Sequence, residues 1–600
     1  MEQRSPYSGN KRRLVIAFDL GTTFSGVSFA VLDPNKPPKV ETVGRYPGQD
    51  TYDTKIPTVI HYDRSGKVLA VGEELPPELG DEDDDDALPI RVEWFKLLLQ
   101  PRTAPSAMRK TELPPSKTIV DVFADFYRYL NTCAEKYIKE SVNMTAMGNL
   151  VWDSVKNDID FVLSHPNGWE GPQQELMRKA AVQAGLLKEK DARSTRLSFV
   201  TEGEASMHFC VSNGHSLEAG DNIMIIDAGG GTVDLSTYSF ESSKPIKAVE
   251  MAAPACLVEG SVIVRHRAHT HVQAKLRNST FGTEGCVDAI ANEFDKTAKK
   301  RFKGSGNAAI KFSHNLRDTD ASVGIRNGRI TLSESEMRSF FDPGIDALTE
   351  AIKAQREAGS SRGEINTYFL VGGYAASEYL HDRLKTFLDE DGLKLYRPGS
   401  SPNKAVAEGA VSFYLDRFVS ARVARFTYGT VVSVPAYPFM LMPPTQKVRD
   451  RVMTMYRSMD GELWLPNAFR EILTQGTAVS ETQEFRKEIS MFRLAGGQNG
   501  WKTDVDIVAY RGTSPPMFVD EEQARFTTLC QVEANLKKAP RTQEQGPAGT
   551  YFLIEAIVVL SFGLTEFKAE LAWTDKNGVE KRSPATIVYD PDFSVNVADE

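Results

Sequence analysis

The segment Asp227-Ala-Gly-Gly-Gly-Thr-Val-Asp234 follows the apolar run Ile223-Met-Ile-Ile226 and precedes a second strand-like stretch through Leu235 and Tyr238. A buried strand that ends in Asp and enters a glycine turn is typical of a phosphate site. Glycine lets consecutive backbone N–H groups surround phosphate oxygens with no side chain between them. Tight turns rarely need an aspartate, three glycines, a threonine and a second aspartate together. The pattern therefore predicts a phosphate-binding hairpin.

The same design occurs near the start of the chain. The apolar run Leu14-Val-Ile-Ala-Phe18 leads into Asp19-Leu-Gly-Thr-Thr-Phe-Ser25, and Ser25 to Leu32 is predicted to be the return strand. Two such loops far apart in the sequence indicate duplicated halves that grip one triphosphate from opposite sides. The alternative is two ordinary hairpin turns.

A third glycine segment follows these two loops later in the sequence. The predicted strand Tyr368-Phe-Leu-Val371 meets Gly372-Gly373 and then a helix from Ser377 through Phe387. Bare glycine backbone can lie against the flat face of a nucleoside, and a helix N-terminus favours phosphate. The chain contains neither a GxxxxGK[ST] loop nor a protein-kinase HRD and DFG pair, so the common alternative nucleotide sites are absent from the sequence.

Length and composition limit the remaining classes. The chain has 600 residues, 41% of them apolar and 25% charged, which predicts a globular protein of three or four structural units. The formal net charge of -10 argues against broad binding to nucleic acid or to an anionic membrane surface. We therefore expect neither partner.

Cysteine usage and apolar runs predict the compartment. The five cysteines are odd in number and lack CxxC spacing, which favours reduced thiols; they are Cys133, Cys210, Cys256, Cys286 and Cys530. The polar start resembles no secretory signal, and no apolar run approaches the roughly 18 residues of a membrane helix. These features predict a cytoplasmic protein, with the nucleus as a second location.

The three glycine segments resemble the phosphate-1, phosphate-2 and adenosine motifs of the actin, hexokinase and heat-shock protein 70 superfamily. Three further stretches resemble the ATPase domain of heat-shock protein 70 itself: Phe161 to Trp169, Phe199-Val-Thr-Glu202, and Pro402 to Ala410. The resemblance spans about Leu14 to Arg425. It fits best the divergent member-12-like branch of the family.

This resemblance implies an α/β fold: a duplicated ribonuclease-H-like (actin-like) two-lobed ATPase domain, followed by a mainly β C-terminal domain. The expected parts are a flexible tail (1–12), the ATPase domain (13–425) and the β-rich domain (426–600). Within the ATPase domain, lobe I comprises about 13–220 and 405–425, and lobe II about 221–404. In the last domain, Phe567 to Trp573 and Thr586 to Tyr589 predict a hairpin around an Asn577-Gly578 turn.

The resemblance also implies the cofactors ATP/ADP and Mg²⁺. Residues that would surround the phosphates are Gly21, Thr22, Thr23, Gly229, Gly230, Gly231 and Thr232, the last at the γ-phosphate. Asp19 and Asp227 would hold the water shell of Mg²⁺. Glu202 falls where the family orients the attacking water, with Glu204 as its rival, and Asp234 would help to polarise that water.

Three lysines complete the expected site. Lys96 falls where the family neutralises charge on the transferring phosphoryl group; the alternative is a solvated surface lysine. Lys299 and Lys300 would approach the adenine ribose, with a plain basic helix face as the alternative. Gly372 and Gly373 would face the nucleoside.

Several departures put inherited properties in doubt. Ala376 stands where the family stacks an arginine on adenine, so Tyr374 is the expected substitute. The family's proline switch is preserved at Pro166, but its partner arginine is replaced by Gln174, which carries no charge. The linker region, Asp416 to Val432, is basic and aromatic, and the C-terminal part is too short for both a β-sandwich and a full helical lid.

The leading hypothesis is a slow, Mg-dependent ATPase of chaperone type. Its expected partners are unfolded or extended client polypeptides and cochaperones. The alternatives are a nucleotide-sensing interaction protein with little hydrolysis and a small-molecule kinase of the same superfamily. The C-terminal strands offer an extended peptide an open edge, or only pack on the ATPase lobes.

Overall fold

The computed structural model describes residues 4–75, 89–99, 111–140, 148–169, 171–192, 194–213, 217–398, 402–443, 445–480, 483–495, 501–547, 549–562, 567–575, 577–583 and 586–588. The chain divides into two compact units, Met1–Val419 and Ser420–Glu600. The boundary expected from the sequence, between residues 425 and 426, lies shortly after this division. Among the described residues, no helix combines the length and the apolar character that crossing a bilayer requires.

The first half of unit 1 is built on a sheet with the order β3-β2-β1-β8-β9. Strand β1 lies antiparallel to β2 and parallel to β8, and β8 is parallel to β9. A separate small sheet has the order β6-β5-β7. The elements are β1 (Arg13–Asp19), β2 (Phe24–Leu32), β3 (Glu41–Thr42), β4 (Ile56–Pro57), β5 (Val59–Tyr62), β6 (Val68–Val71), β7 (Ile90–Glu93), α1 (Ile119–Glu140), α2 (Gly148–Val155), β8 (Ile159–His165), α3 (Gly171–Gln183), β9 (Leu197–Thr201) and α4 (Glu202–Ser212).

The second half of unit 1 repeats this arrangement with the order β12-β11-β10-β17-β18. Strand β10 lies antiparallel to β11 and parallel to β17, and β17 is parallel to β18. The elements are β10 (Asn222–Ala228), β11 (Val233–Ser243), β12 (Ile246–Glu250), β13 (Ala255–Leu257), α5 (Ser261–Lys275), α6 (Glu284–Glu293), α7 (Lys299–Arg301), β14 (Ala308–Lys311), β15 (Ile325–Arg326), β16 (Arg329–Leu332), α8 (Glu334–Gly359), β17 (Thr367–Val371), α9 (Glu378–Asp389), β18 (Lys394–Tyr396) and α10 (Ala405–Asp416).

The two halves thus share one strand order, which is the duplication expected from the sequence. Strands β1 and β10 are entirely or almost entirely buried, as their continuous apolar runs require. Each ends in its aspartate at the point where the hairpin begins: Asp19 faces Gly26 across one hairpin, and Asp227 faces Asp234 across the other. Topology alone therefore places the two acids at equivalent positions.

Helices α4 and α10 connect the halves. Helix α10 packs on β1, β2 and β8, whereas α4 packs on β10 and β11. The two helices also contact each other at Gly409, where a Cβ atom would overlap the carbonyl of Ala205. Met207, Phe209 and Cys210 of α4 are buried in a core that includes strands of the second half, and α4 also contacts β8 and β9 of the first half.

The first residues of the described chain are bonded to the end of this helix pair. Arg4 donates through Nε to both carboxylate oxygens of Asp416, at 3.1 and 3.0 Å. Its Nη2 donates to Ser412 Oγ at 2.9 Å and to Ser212 Oγ at 3.1 Å. The tail expected to be flexible therefore makes specific contacts from Arg4 onward, which its polar composition did not indicate.

Unit 2 consists mainly of strands within its described residues. One sheet has the order β21-β22-β20-β25-β26-β31 and another β24-β28-β29-β30, with β27 beside β28. The elements are β19 (Val419–Val423), β20 (Thr427–Pro435), α11 (Tyr437–Met440), α12 (Gln446–Val452), β21 (Tyr456–Arg457), β22 (Leu463–Leu473), β23 (Ala478–Ser480), β24 (Glu484–Leu494), β25 (Lys502–Tyr510), β26 (Phe526–Asn535), β27 (Thr542–Gly546), β28 (Gly549–Phe562), β29 (Phe567–Thr574), β30 (Glu580–Arg582) and β31 (Thr586–Val588).

The pairing of the last strands differs from the sequence prediction. The Asn577-Gly578 turn, with φ of 77° at Gly578, joins β29 to the short strand β30. Strand β31, which was expected to be the partner of β29, pairs with β26 instead. Asp575 accepts hydrogen bonds from the amides of Asn577 and Val579. These bonds fix a tight turn, which pairs β29 with β30, the strand that follows the turn directly.

Candidate functional site

The two aspartate-glycine loops lie against each other in unit 1. A Cβ atom on Gly230 would be 2.5 Å from the hydroxyl oxygen of Thr23, and one on Gly231 would be 2.5 Å from that of Thr22. Real Cβ atoms do not come so close to a neighbour, so only glycine permits this approach. The fold therefore brings the loop of the first half into direct contact with the loop of the second half.

The second loop is fixed by the start of helix α5. The amides of Ser261 and Val262 donate to the carbonyls of Gly229 and Gly230 at 3.1 and 2.9 Å. The amides of Gly230 and Gly231 themselves donate to no backbone carbonyl among the described residues. They remain available to an anion.

The third glycine segment adjoins the second loop. Gly372 has φ of 90°, and a Cβ atom there would overlap the carboxylate of Asp227. A Cβ atom on the neighbouring Gly373 would meet nothing within 4 Å. Gly373 and Ala376 are exposed, whereas Tyr374 is 7% exposed and belongs to the core of the second half. Most of the Tyr374 ring is therefore packed in this core, and its expected role at the base stays a prediction.

These segments surround one cavity of about 1230 Å³. Its volume suits a ligand larger than most drug-sized molecules. Predicted site residues that line it are Asp19, Gly21, Thr22, Thr23, Lys96, Glu202, Asp227, Gly229, Gly230, Gly231, Thr232, Lys299, Lys300, Gly372, Gly373 and Tyr374. Asp234 and Glu204 are buried but are not among its lining residues. The position of Glu202 favours it over its rival Glu204.

Lys96 and Glu202 form a buried ion pair at the wall of the cavity. Lys96 Nζ donates to Glu202 Oε1 at 2.5 Å and lies 5.5 Å from the centre of the Trp169 ring. Lys96 is 3% exposed, so the alternative of a solvated surface lysine is wrong. Burial raises the pKa of Glu202 to about 7, although the Lys96 ammonium opposes this rise. A carboxyl group with such a pKa can exchange a proton near neutral pH.

The two equivalent aspartates have different partners. Asp19 accepts an ion-pair hydrogen bond from Lys55, a residue that the sequence interpretation missed. Asp227 accepts from Ser206 Oγ at 2.7 Å. Burial raises the pKa of Asp227 well above its usual range, and the nearby Glu202 carboxylate adds to this rise.

Asp234 is held by a short network behind the second loop. It accepts from the backbone amide of Asn167 at 2.7 Å and from Thr232 Oγ1 at 2.8 Å. Burial raises the pKa of Asp234, and these hydrogen bonds oppose the rise. Asn167 also donates through Nδ2 to Leu235 O at 3.1 Å and to Ser236 Oγ at 3.0 Å. It follows Pro166 directly, and the sequence interpretation did not identify it as a link between the halves.

The far side of the cavity carries basic residues. Lys299 donates to Asp295 and, at 3.3 Å, to the carbonyl of Ser261, and burial lowers its pKa. Lys300 lines the same side. Arg265 lies 4.9 Å from the centre of the Trp94 ring, so the two halves are in contact at the rim. Lys299 is thus mostly buried, unlike a residue on a plain basic helix face.

Gln174, the residue predicted to stand in place of an arginine, lies close to the site. Gln174 Nε2 lies 3.0 Å from His165 Nε2, and His165 Nδ1 lies 2.9 Å from the carbonyl of Pro166. Burial lowers the pKa of His165 to about 4, so the ring is neutral at physiological pH. Next to Pro166, Gln174 and the neutral His165 ring are therefore joined by an uncharged hydrogen bond.

Comparison with known proteins gave relatives but no match to a family model. Heat shock 70 kDa protein 12B of Homo sapiens is 23% identical over 557 residues, which cover 79% of this chain and 78% of the relative. Heat shock 70 kDa protein 12A of Mus musculus is 23% identical over 563 residues, or 78% of each chain. Chaperone protein DnaK of Buchnera aphidicola subsp. Schizaphis graminum is 23% identical over 426 residues, which cover 66% of this chain and 58% of DnaK.

These relatives confirm the resemblance that the motifs indicated, over 78 to 79% of the chain. The relatives imply the actin-like, two-lobed fold with mixed α/β content, and the repeated strand order of unit 1 agrees with it. The duplicated sheets, the paired loops and these relatives together make this chain similar to divergent heat-shock protein 70 proteins.

Proposed function

We propose that unit 1 binds ATP and ADP in the cavity between its halves and hydrolyses ATP slowly with Mg²⁺. One observation carries this proposal: two equivalent aspartate-glycine loops meet at a cavity that also contains the buried Lys96–Glu202 pair. Free amides and threonine hydroxyls would bind the phosphates, and the ion pair would stand beside the phosphoryl group. The relatives, one of which is named a chaperone protein, support a nucleotide-dependent role.

The residues present fit a magnesium ion. Asp19 and Asp227 are both buried, line the cavity and offer the carboxylate oxygens that Mg²⁺ prefers. They would hold the ion through its water shell. When bound, the ion would neutralise charge on the phosphates.

The protein groups would divide the remaining tasks. Lys96 would neutralise charge that builds up on the transferring phosphoryl group. Glu202, whose pKa lies near 7, would orient the attacking water and accept its proton. Asp234 does not line the cavity, so we assign it a supporting role through its hydrogen bond with Thr232. Thr232 would contact the γ-phosphate.

The exposed backbone at Gly373 and the small side chain of Ala376 would lie against the nucleoside. Lys299 and Lys300 would approach the ribose from the opposite wall. Since Tyr374 is mostly buried, we do not assign it base stacking. The base would therefore be held mainly by shape, and selectivity among bases would be modest.

Unit 2 would bind extended client polypeptides, with cochaperones as further partners, in the cytoplasm or nucleus. A second function is favoured by one observation. The neutral Gln174–His165 contact replaces a charged relay, so nucleotide state would reach unit 2 weakly. The second function is a nucleotide-sensing interaction protein that binds nucleotide with little hydrolysis and is not driven through a chaperone cycle.

The substitution Glu202→Gln tests the hydrolytic role. We expect turnover to fall by about 100-fold, the lower range for loss of a general base, while the dissociation constant for ATP changes little. ATP hydrolysis by the purified full chain is measured by phosphate release, and affinity by titration calorimetry.

Glu204→Gln is the matched control, because it makes the same charge change on the same helix at a residue that does not line the cavity. We expect near-normal turnover from it. If Glu202→Gln hydrolyses ATP as fast as the unmodified protein, Glu202 is not the general base. If the unmodified protein binds ATP but shows no measurable turnover, the nucleotide-sensor function replaces the ATPase.

A further inference from the structure

Lys55 is held at the edge of the first loop by its own backbone. The Lys55 amide donates to Asp53 Oδ1 at 3.1 Å, and the Lys55 carbonyl accepts from Gln49 Nε2 at 2.7 Å. The next residue, Ile56, pairs with Ser25 on the return strand of the first loop. The position of Lys55 is therefore set by the sheet rather than by a loose surface loop.

The side chain of Lys55 crosses the return strand to reach the cavity. A Cβ atom on Gly26 would be 3.1 and 3.3 Å from Cδ and Cε of Lys55, so the glycine leaves room for the aliphatic stem. The Lys55 ammonium bonds Asp19, and the two side chains are 11% and 7% exposed. Both residues line the cavity.

This arrangement puts two cations in competition for one carboxylate. Asp19 is a proposed holder of the magnesium water shell, and its remaining contact is a long hydrogen bond from Ser164 Oγ at 3.5 Å. When Mg²⁺ supplies positive charge near Asp19, the attraction between the Asp19 carboxylate and the Lys55 ammonium becomes weaker. A lysine side chain has a flexible stem and binds phosphate as a compact charge.

We propose that Lys55 is a phosphate-binding residue of the cavity: it neutralises Asp19 in the nucleotide-free protein and transfers to the β- or γ-phosphate when Mg-nucleotide binds. The inference rests on the proposed nucleotide site and adds a residue to it. It also predicts a property of that site, because a fixed cation near the phosphates reduces the dependence of nucleotide affinity on Mg²⁺.

A purely structural ion pair would behave differently. If Lys55 served only Asp19, nucleotide binding would have to break the pair, and removal of Lys55 would leave affinity unchanged or raise it. If Lys55 binds phosphate, its removal weakens binding. The loss of nucleotide affinity should grow with the number of phosphates on the nucleotide and should be larger without Mg²⁺. The sign of the change therefore separates the two roles.

The experiment measures dissociation constants of ATP, ADP and AMP for the full chain, in Mg²⁺ and in EDTA. For Lys55→Met we expect ATP to bind about 10-fold more weakly in EDTA, the effect of losing one charge-assisted hydrogen bond. The effect should be smaller in Mg²⁺ and absent for AMP. Lys55→Arg keeps the charge and should restore most of the affinity.

Lys67→Met is the matched control, since Lys67 is exposed, lies in the same half and is not a lining residue. It should bind all three nucleotides normally. Should Lys55→Met fail to fold, Lys55→Gln keeps a polar side chain and gives the same comparison. Equal or tighter ATP binding by the Lys55 variants overturns the inference and spares the nucleotide site. No nucleotide binding by the unmodified protein overturns both.

Discussion

The two halves of unit 1 present the same acid at the same place in the same topology, yet they surround it differently. Asp19 is paired with the Lys55 ammonium, and its loop carries the hydroxyl side chains of Thr22 and Thr23. Asp227 has a serine hydroxyl for a partner, and its loop carries three glycines followed by Thr232. The duplicated fold therefore determines where each carboxylate lies, while residues outside the hairpin determine which groups bond to it.

This difference assigns separate tasks to the loops. The first loop presents threonine hydroxyls beside the Lys55 ammonium, and the second presents the Thr232 hydroxyl and glycine amides at positions where Thr22 and Thr23 leave no room for a side chain. The raised pKa of Asp227 means that the second half tends to hold a proton when no cation is near. The cavity is thus asymmetric in charge although it is symmetric in strand order.

The largest expected effect comes from forcing the loops apart. In Gly231→Ala, the new Cβ atom would be 2.5 Å from Thr22 Oγ1 and 2.9 Å from Leu97 Cδ2. Overpacking of this kind costs about 1 to 3 kcal/mol, and we expect ATP affinity to fall by about 100-fold in titration calorimetry. Gly285→Ala, with open space around its Cβ position, should bind normally. Normal binding by Gly231→Ala would show that the loops need not touch.

A smaller effect should distinguish the two aspartates in the nucleotide-free protein. Because the pKa of Asp227 is raised in the fold, its contribution to stability is complete below about pH 4, the pKa of an unfolded aspartate. That contribution is lost as pH rises through the folded pKa. Asp227→Asn should therefore raise the melting temperature at pH 8 by a few degrees and have little effect near pH 4.

Asp19→Asn should have the opposite sign. It leaves the Lys55 ammonium without its carboxylate at a site where the lysine side chain is 11% exposed. An unsatisfied buried polar group costs about 1 to 3 kcal/mol, so the melting temperature at pH 8 should fall. Thermal unfolding of both variants across pH 4 to 8 checks the pair. Shifts of equal sign would mean that the two acids have equivalent surroundings.

The smallest effect concerns the rim, where the halves contact through Trp94 and Arg265. A cation–π contact contributes about 0.5 to 1 kcal/mol when partly exposed, so Trp94→Ala should speed nucleotide dissociation by about 2- to 5-fold. Stopped-flow displacement of a fluorescent nucleotide measures the rate. Arg265→Gln should give the same change, and the double variant should add nothing. Additive changes would mean that the two residues act separately.

The parts of the site that could be predicted are those encoded in contiguous residues. An apolar run, an aspartate and a glycine turn specify a buried strand and a tight loop locally, and the duplicated two-lobed fold follows from finding that pattern twice. Gly372 was predictable for the same reason, since it follows a strand directly. Within the described chain, these segments do meet at one cavity.

The remaining features depend on register between distant elements. Lys55 reaches Asp19 only because β4 pairs with β2, and Asn167 reaches Asp234 only because the two halves are apposed. Tyr374 was expected beside the adenine base; most of its ring is buried in the core of the second half. The partner of β29 was misjudged because a nearer strand was too short to be noticed in sequence.

Arg4 has a practical consequence for anyone who handles this protein. Its side chain bonds to the C-terminal turns of both helices that connect the halves, through Ser212, Ser412 and Asp416. A truncation that starts at the first strand, or a bulky tag fused beside Arg4, would therefore remove or disturb contacts at the C-terminal ends of both helices. Opening of the cavity should be compared only between preparations that have the same N-terminus.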